Sequence, residues 1–564
     1  MTRPDRKNRA IHTLLFILQF IAAQAALSAE SAIQGFETNQ TERQIEAMPE
    51  PERVTAPRIS GDGAKTRVEM SDRTFVLAGV LVEGVTAYHP LDFLPYYQAY
   101  LGKQITVETL TGIAESITEK YQVDGYFLSS AFLPAQDIEF GIVRIRVIEG
   151  YISNWRSPGS ETSLDPMIAR VLRPVLMLRP ARKPALTAAL TTIASVPGLT
   201  VHAQVRAIPG EIGAYELLLP IEKRHVGATV SVDNRGSDYI GPTQGVIALQ
   251  AFDLAHHHEV YQLKFATVTE VTELNYWDVS AEWSFWDDDD GIRLHASGTH
   301  TTTDPGGSLE SLDAHIINDR YRLGFMYHLS RTASVERHLG AYIDRYYSRT
   351  ALAGVPRLDD VLTVVTINFL QVGAYTGGAL HSVGASVTQG LAVGDSRVVD
   401  FQLGNGVGVP DFTKVNASYG GTFPVGGYWS ISVLLDGQYA GSSVPSSERY
   451  SIGGAQLGRA YDPSEITGDH GLAGLVELQR RDVLRVRHSH WSLFGFYDLG
   501  AVWQIEHETV PARASLASAG VGARLIGPGL TVSIELAQPL TRRVASEGSD
   551  GHNPRAFGSL AYRF

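Results

Sequence analysis

Residues 277–285 read Trp-Asp-Val-Ser-Ala-Glu-Trp-Ser-Phe, and residues 429–439 read Trp-Ser-Ile-Ser-Val-Leu-Leu-Asp-Gly-Gln-Tyr. In both runs apolar or aromatic residues alternate almost strictly with polar ones, the period of a β-strand with two different faces. About 16 such runs follow one another after residue 226, and an even number of antiparallel strands is typical of a closed bacterial barrel. We therefore predict a 16-stranded antiparallel transmembrane β-barrel over residues 224–564.

A soluble antiparallel sandwich also alternates, so the strands alone leave two fold classes open. The ends of the chain favour the membrane barrel. The start carries four basic residues before an interrupted apolar run at 14–27, and we interpret residues 1–29 as a signal peptide, cleaved after Ala25 or Ala29. The last run ends in Tyr562 and Phe564, which is typical of the closing strand of an outer-membrane barrel.

Composition narrows the function. The 564 residues include 55 glycines, 24 tyrosines and 20 phenylalanines, but no cysteine, so disulfides and thiolate metal sites are excluded. No later stretch holds about 18 consecutive apolar residues, so no membrane-spanning helix is expected. A net charge of −13 without a basic stripe argues against a nucleic-acid partner.

Two small α+β units are predicted before the barrel. Residues 73–151 show the order strand, helix, helix, strand, strand, with a helix at 106–121, and residues 152–223 repeat this order more faintly. Residues 30–72 contain a capping-box pattern that opens a short polar helix at 41–47, followed by a linker rich in proline and glycine. A poorly ordered N-terminus is the alternative interpretation of that segment.

With the first strand running outward, the connections predict an orientation. Short turns fall on the inner side, and long loops fall outside, as in bacterial barrels. The predicted short turns are at 256–258, 287–290, 426–427 and 527–529, and the predicted long loops are at 302–319, 391–411 and 442–470.

A loop and a strand provide the candidate site. Arg459, Ala460 and Tyr461 lie in the long loop, and Asp498 lies on a later strand with the same parity as Ser492. This parity places the carboxylate in the lumen, where the planar fork of a folded-back arginine could bind it with two hydrogen bonds. The alternative is a solvated loop cation and an unrelated lumen charge.

Other chemistry is disfavoured. The three histidines at 256–258 point apart on a turn, and the aspartates at 287–290 lack the ligand spacing of a calcium loop. The sequence contains no Gly-x-Ser-x-Gly segment with histidine and aspartate partners, so a hydrolase is not indicated. We therefore predict neither a metal, nor a cofactor, nor an enzymatic activity.

These features together resemble the transporters of two-partner secretion, the haemolysin-activator and filamentous-haemagglutinin transporter family. In the first α+β unit, residues 121–127 resemble the family's Y-x-x-x-G-Y segment, 133–136 its L-P-x-Q and 147–150 its V-x-E-G. In the barrel, Arg459, Ala460 and Tyr461 match the family's loop motif, with alanine at 460 where glycine is usual, and Gly453, Gly454 and Gly458 support this loop. Phe496, Asp498 and Gly500 match the wall motif F-x-D-x-G. Gly468 and Asp469 match the G-D-x-G motif.

The resemblance implies that the two units are POTRA domains in the periplasm and that the barrel lies in outer-membrane lipid. It implies a secreted exoprotein with an N-terminal secretion domain as partner, a helix at 41–47 that plugs the pore, and barrel-assembly machinery that reads the terminal aromatic. A haemolysin, an adhesin or a contact-inhibition toxin would each fit as cargo. The rival functions are a barrel-assembly factor of the same superfamily, a passive porin and a surface adhesin.

Overall fold

The protein is described by a computed structural model over the residues that follow. They are 59–61, 74–158, 164–255, 258–285, 291–332, 335–375, 378–398, 408–486, 488–505, 512–547 and 551–564. The predicted signal peptide, the polar helix at 41–47 and the turn at 287–290 lie outside these ranges, as do two of the three histidines at 256–258. Within them, no helix has the length and apolar character needed to cross a bilayer.

A stretch of the predicted linker forms a short strand, β1 (Ile59–Gly61). The first α+β domain follows and contains two small sheets and two helices. Its elements are β2 (Thr74–Val76), β3 (Gly79–Glu83), α1 (Leu94–Tyr97), β4 (Gln104–Thr106), α2 (Val107–Val123), β5 (Ser130–Phe132) and β6 (Ile142–Ile148). The sheet order is β3-β6-β5, with β2 paired to β4. The predicted helix at 106–121 is thus confirmed as α2, and the fully buried Leu77 lies between β2 and β3.

Helix α2 forms because its sequence meets both helical requirements. Thr106 caps its start by accepting a hydrogen bond from the backbone N–H of Thr109. One face buries Leu110, Ile113, Ala114, Ile117 and Tyr121, at the spacing the sequence predicts. Strand β6 completes the core, because Val143, Ile145 and Val147 are buried while the two arginines between them are exposed.

The second domain repeats the order of the first. It contains β7 (Tyr151–Arg156), α3 (Asp165–Leu176), α4 (Lys183–Ala194), β8 (Leu199–Val201), β9 (Ala203–Ala207), β10 (Ala214–Leu218) and β11 (Ile221–Lys223). The main sheet has the order β1-β9-β10-β7, so the linker strand β1 adds a parallel edge beside β9. Sequence analysis misses β1 because three residues are too short to show a period.

Sixteen antiparallel strands form the closed barrel, as predicted. They are β12 (Val226–Asp233), β13 (Gln244–Phe252), β14 (Val260–Val268), β15 (Leu274–Phe285), β16 (Ile292–Thr303), β17 (Ala314–Arg331), β18 (Val335–Leu352), β19 (Val355–Ala374), β20 (Leu380–Leu391), β21 (Thr413–Gly426), β22 (Trp429–Ala440), β25 (His470–Val486), β26 (Ser489–Trp503), β27 (Arg513–Ile526), β28 (Leu530–Pro539) and β29 (Arg555–Arg563). Two further strands, β23 (Tyr450–Ile452) and β24 (Ile466–Gly468), pair with each other outside the barrel ladder.

The two faces of the barrel wall differ as a membrane requires. Apolar side chains such as Leu323, Ile367 and Leu499 are about half exposed on the outer face. On β26, residues of the opposite parity, Ser492 and Asp498, are almost completely buried. The predicted lumen parity of Asp498 is therefore confirmed.

The connections alternate between short and long. Gly426 and Gly427 form the turn between β21 and β22, and Gly529 lies in the turn between β27 and β28. All three have positive φ angles, which glycine adopts in tight turns without steric cost. The connection before β17 is shorter than predicted, because strand pairing continues through residue 316. The longest fully described connection, residues 441–469, carries β23 and β24 and is here called the lid loop.

Glu149 anchors the first domain at the end of β6. Its carboxylate accepts hydrogen bonds from the backbone N–H groups of Thr86 and Ala87 at 2.8 and 2.9 Å and from the hydroxyl of Tyr121 at 2.7 Å. Burial alone would raise the pKa of Glu149, but these donors and the Thr86 hydroxyl outweigh it and lower the pKa. The carboxylate thereby joins helix α2 to residues 86–87.

We expect Glu149→Gln to lower the free energy of unfolding of the first domain by about 1–3 kcal/mol, because it removes charge-assisted hydrogen bonds. Since the folded pKa is depressed, the stabilisation is present above the unfolded pKa of about 4.3 and is lost as pH falls through the folded pKa. Urea-dependent pulse proteolysis of the full chain at several pH values measures both effects. Glu115→Gln on the exposed face of α2 is the control, and equal midpoints for the two variants would contradict the assignment.

Candidate functional site

The lid loop lies against the inner wall of the barrel. Its strands β23 and β24 form an antiparallel pair with Tyr450 opposite Gly468 and Ile452 opposite Ile466. One hydrophobic cluster joins the loop to the wall: Tyr450, Ile452, Ala460, Tyr461 and Ile466 pack with Ala473, Leu475, Phe494, Phe496, Val502, Leu516, Ala537, Val544 and Phe557. Because the wall residues come from β25 to β29, the loop covers the last five strands of the barrel.

Arg459 and Asp498 do come together, but not through the predicted fork. Asp498 accepts a hydrogen bond from the backbone N–H of Arg459 at 3.0 Å and another from the Ser518 hydroxyl. The guanidinium of Arg459 instead binds the carboxylate of Glu477 at 2.8 Å. The expected bidentate pair is therefore wrong, and Asp498 holds the backbone of the loop rather than its side chain.

The guanidinium of Arg459 is held on several sides. Glu535 lies 3.7 Å from its Nη1 atom, and the ring centroid of Phe496 lies 4.6 Å from its central carbon. The cation–π contact adds to the ion pairs because the face of an aromatic ring is electron-rich. Phe496 of the wall motif thus contributes to binding the arginine directly.

Two other arginines share these carboxylates. Arg235, just after β12, binds Glu535 at 2.9 Å and donates a hydrogen bond to the carbonyl of Arg459 at 3.3 Å. Arg524 on β27 lies 3.7 Å from Glu477. We call Arg235, Arg459, Arg524, Glu477 and Glu535 the lumen charge network.

The network ties the loop to three strands, β25, β27 and β28, and to the end of the first strand, β12. The side chains of Arg459, Glu477 and Glu535 are 12%, 7% and 5% exposed. Removing one partner of a buried pair typically costs about 3–5 kcal/mol, because the other charge stays buried. Such a network therefore favours one position of the loop.

Tyr461 and Asp462 fix the loop on the other side of Arg459. The Tyr461 hydroxyl donates to the carbonyl of Ala517 at 3.1 Å. Arg555 of the closing strand donates to the carbonyl of Ala460 at 3.0 Å and binds Asp462 at 2.7 Å. The loop motif is thus bound at three successive residues.

Alanine at 460 does not disturb the turn. Positive φ angles in this segment occur at Gly453, Gly454 and Gly458, at 133°, 100° and 75°, and at Ser464, but not at Ala460. A Cβ atom at Gly453 would lie 2.1 Å from the carbonyl oxygen of Asp462. The left-handed backbone conformations of this segment therefore fall on these three glycines and on Ser464, and alanine at 460 is compatible with the turn.

Gly468 and Asp469 anchor the end of the lid loop. A Cβ atom at Gly468 would lie 2.8 Å from the carbonyl oxygen of Trp503. The buried carboxylate of Asp469 accepts backbone N–H groups of Val444 and Ile505, each at 2.8 Å. Asp469 thus joins the first part of the lid loop to the residues after β26.

The last residues close the barrel. Tyr562 pairs with Val230 of β12 and is 41% exposed on the outer face. The backbone N–H of Phe564 donates to the carbonyl of Ala228 at 2.9 Å, and its ring contacts that of Tyr562 edge to face. Both aromatic residues therefore belong to the seam between the first and last strands.

Sequence reasoning misses Glu477, Glu535, Ser518, Arg235 and Arg555. Glu477, Glu535 and Arg555 lie on β25, β28 and β29, Ser518 lies on β27, and Arg235 follows β12. Inward parity would have put Glu477 and Glu535 among the candidates. Their choice as partners of Arg459 depends on the three-dimensional path of the loop.

Gly500 is needed for close approach of the lid loop. A Cβ atom there would lie 2.5 Å from Cδ1 of Ile452 and 2.9 Å from Cβ of Ala473, whereas at Gly495 the nearest atoms are 3.8 Å away. We expect Gly500→Ala to displace β23 at a cost of about 1–3 kcal/mol and to expose Arg459. Faster trypsin cleavage after Arg459 would show this, with Gly495→Ala as the matched control. Equal cleavage rates in the two variants would contradict the role given to Gly500.

Family comparisons cover most of the chain. The family described as haemolysin secretion/activation protein ShlB/FhaC/HecB matches residues 220–525, more than half of the chain. The ShlB-type POTRA domain matches residues 75–150, the first α+β domain.

Individual relatives agree with this match. The haem/hemopexin transporter protein HuxB of Haemophilus influenzae is 22% identical over 476 residues, covering 79% of this chain and 80% of HuxB. The solved structure of CdiB from Escherichia coli superposes with a TM-score of 0.60 at 17% identity, covering 95% of this chain and 98% of CdiB. BamA from Haemophilus ducreyi gives a TM-score of 0.53 at 15% identity, covering 87% of this chain and all of that structure. At these identities the two structures show a shared fold.

Proposed function

Because the chain belongs to the haemolysin secretion/activation family of ShlB, FhaC and HecB, it is an outer-membrane transporter of two-partner secretion, and we propose that its lid loop controls the export of one exoprotein. The ShlB-type POTRA domain at residues 75–150 lies in the periplasm. The observation that carries the proposal is a lid loop held inside the lumen by buried charges. Such a loop can both narrow a pore and change position.

The partner we propose is an unfolded exoprotein with an N-terminal secretion domain. In the first domain β5 is an edge strand, because the sheet order is β3-β6-β5. An extended segment could pair with such an edge through main-chain hydrogen bonds, which tolerate varied side chains. HuxB and CdiB carry transporter names in other bacteria, which supports export as the class of function.

The transporter that we propose carries out no enzymatic chemistry at the lid-loop site. The carboxylates of the lid site are engaged by arginines and backbone amides, an arrangement that positions a loop. Folding of the cargo outside the cell would supply the driving force. During biogenesis, the terminal strand with Phe564 would be the segment recognised by barrel-assembly machinery, and the finished barrel would contact outer-membrane lipid.

Barrel assembly is the rival function, because BamA shares the fold. We expect Arg459→Ala to lower secretion by about tenfold or more, because Glu477 and Glu535 lose their ion-pair partner in the lid loop. The measurement compares the amount of the proposed exoprotein in the medium with the total content of outer-membrane porins. Arg485→Ala is the control, since that side chain is 73% exposed.

Loss of the one exoprotein with unchanged porins supports dedicated export. Unchanged secretion with falling porin levels would show barrel assembly instead. If the chain were a passive porin, Arg459→Ala would change neither the exoprotein level nor the porin content. The exoprotein would then also reach the medium equally well in cells that lack the chain.

We also propose that the polar segment at 41–47, outside the described residues, plugs the resting pore. Its deletion should then raise the ion conductance of the purified protein in planar bilayers several-fold, because conductance depends on the open cross-section of the lumen. Replacement of the segment by a glycine–serine linker of equal length is the control for chain length. Conductance unchanged by both variants would rule the plug out.

A further inference from the structure

A second group of lumen residues lies far along the barrel wall from the lid loop. His328 is near the end of β17, and Glu336 and His338 are near the start of β18. These strands are neighbours in the barrel. Because β12 runs outward from the periplasmic domains, the turn from β17 to β18, the sixth and seventh strands, lies at the periplasmic rim.

All three side chains face the lumen. On β17 the outward-facing residues have odd numbers, as Tyr321, Leu323, Phe325 and Leu329 are about half exposed. On β18 Leu339 and Ile343 are exposed in the same way, while Asp344 is buried. His328, Glu336 and His338 have the opposite parity, and the two histidine side chains are 9% and 13% exposed.

The spacing of their polar atoms fits a metal better than hydrogen bonds. The Nδ1 atom of His328 lies 3.4 Å from Oε1 of Glu336, and the Nε2 atom of His338 lies 3.6 Å from the same oxygen. A well-formed hydrogen bond to nitrogen is about 2.7–3.2 Å long. By contrast, two ligands bound tetrahedrally at about 2.0–2.1 Å lie about 3.3 Å apart.

The third distance and the ring arrangement agree with one shared centre. The three ligand atoms all lie within 4.8 Å of one another. The imidazole rings of His328 and His338 meet edge to face with centroids 4.4 Å apart.

We propose that His328, Glu336 and His338 bind one transition-metal cation, namely Zn²⁺, at the periplasmic rim of the lumen. Two imidazoles and one carboxylate are a ligand set that suits Zn²⁺, with a water as fourth ligand. Ca²⁺ and Mg²⁺ prefer oxygen ligands and are excluded by the two nitrogens. A bound cation would join β17 to β18 and place a positive charge on the lumen wall.

The test is Zn²⁺ binding to the purified full chain, measured by competition with a chromogenic chelator. The protein carries no polyhistidine tag, and His256, His257 and His258 are replaced by glutamine, so that the measured Zn²⁺ binding reports on His328, Glu336 and His338. We expect about one Zn²⁺ per chain, with no competition by excess Mg²⁺ or Ca²⁺. In this background His328→Gln, Glu336→Gln and His338→Gln should each weaken binding about tenfold or more.

Controls separate loss of the site from loss of the fold. His300→Gln, on β16 and half exposed, should bind Zn²⁺ as the background protein does. Heat-dependent migration in detergent gels reports whether each barrel is folded, and His338→Cys should restore binding because a thiolate also ligates Zn²⁺.

A second readout follows from the position of the site at the pore rim. Micromolar Zn²⁺ should lower the conductance of the background protein in planar bilayers, and it should leave that of His328→Gln unchanged. Equal Zn²⁺ affinity in the folded ligand variants and in His300→Gln would overturn the proposal. So would a Zn²⁺ response lost only when residues 256–258 are replaced.

Discussion

Closure of the strand ladder is the constraint on which the rest of the structure depends. In hydrocarbon an unpaired backbone group costs several kcal/mol, so the first and last strands must pair. The seam is short: five residues of β12, Thr229–Asp233, pair with Ser559–Arg563 of β29. It is extended by the side chain of Asn234, whose Oδ1 accepts from the N–H of Gly558 and whose Nδ2 donates to the carbonyl of Ala556, as a paired residue would.

The lid loop strengthens this seam from the inside. Arg235 follows the first strand and Arg555 lies on the last, and both donate to the lid-loop backbone, at Arg459 and Ala460. The loop thus crosses the junction between the first and last strands, where the ladder has five residue pairs. In the export function that we propose, a change in loop position would therefore also alter the support of the seam through these two arginines.

The sequence predicts the fold well because the strand period repeats along the whole barrel. It also predicts that Arg459 and Asp498 meet, since parity places Asp498 in the lumen and the loop is long enough to fold back. The partner of the guanidinium could not be predicted. Glu477 and Glu535 also face inward, and the choice among three carboxylates depends on strand tilt and on the path of the loop. The short strand β1 could not be predicted for a different reason, because only its pairing with β9 defines it as a strand.

The lumen charge network responds to water differently from an apolar contact. Buried ion pairs hold strongly only while water is excluded, and exposed pairs are worth about 0–1 kcal/mol. The ring of Phe496, which belongs to the same hydrophobic cluster as Tyr461 and Phe494, covers the guanidinium of Arg459 on one side. Entry of a hydrated polypeptide into the lumen would wet the other side and weaken the same contacts that hold the loop at rest. Because hydration replaces each broken ion pair with solvent contacts, the loop can move without leaving a buried charge unpaired. The lumen charge network is therefore suited to a loop that must be fixed in the empty pore and released when cargo enters.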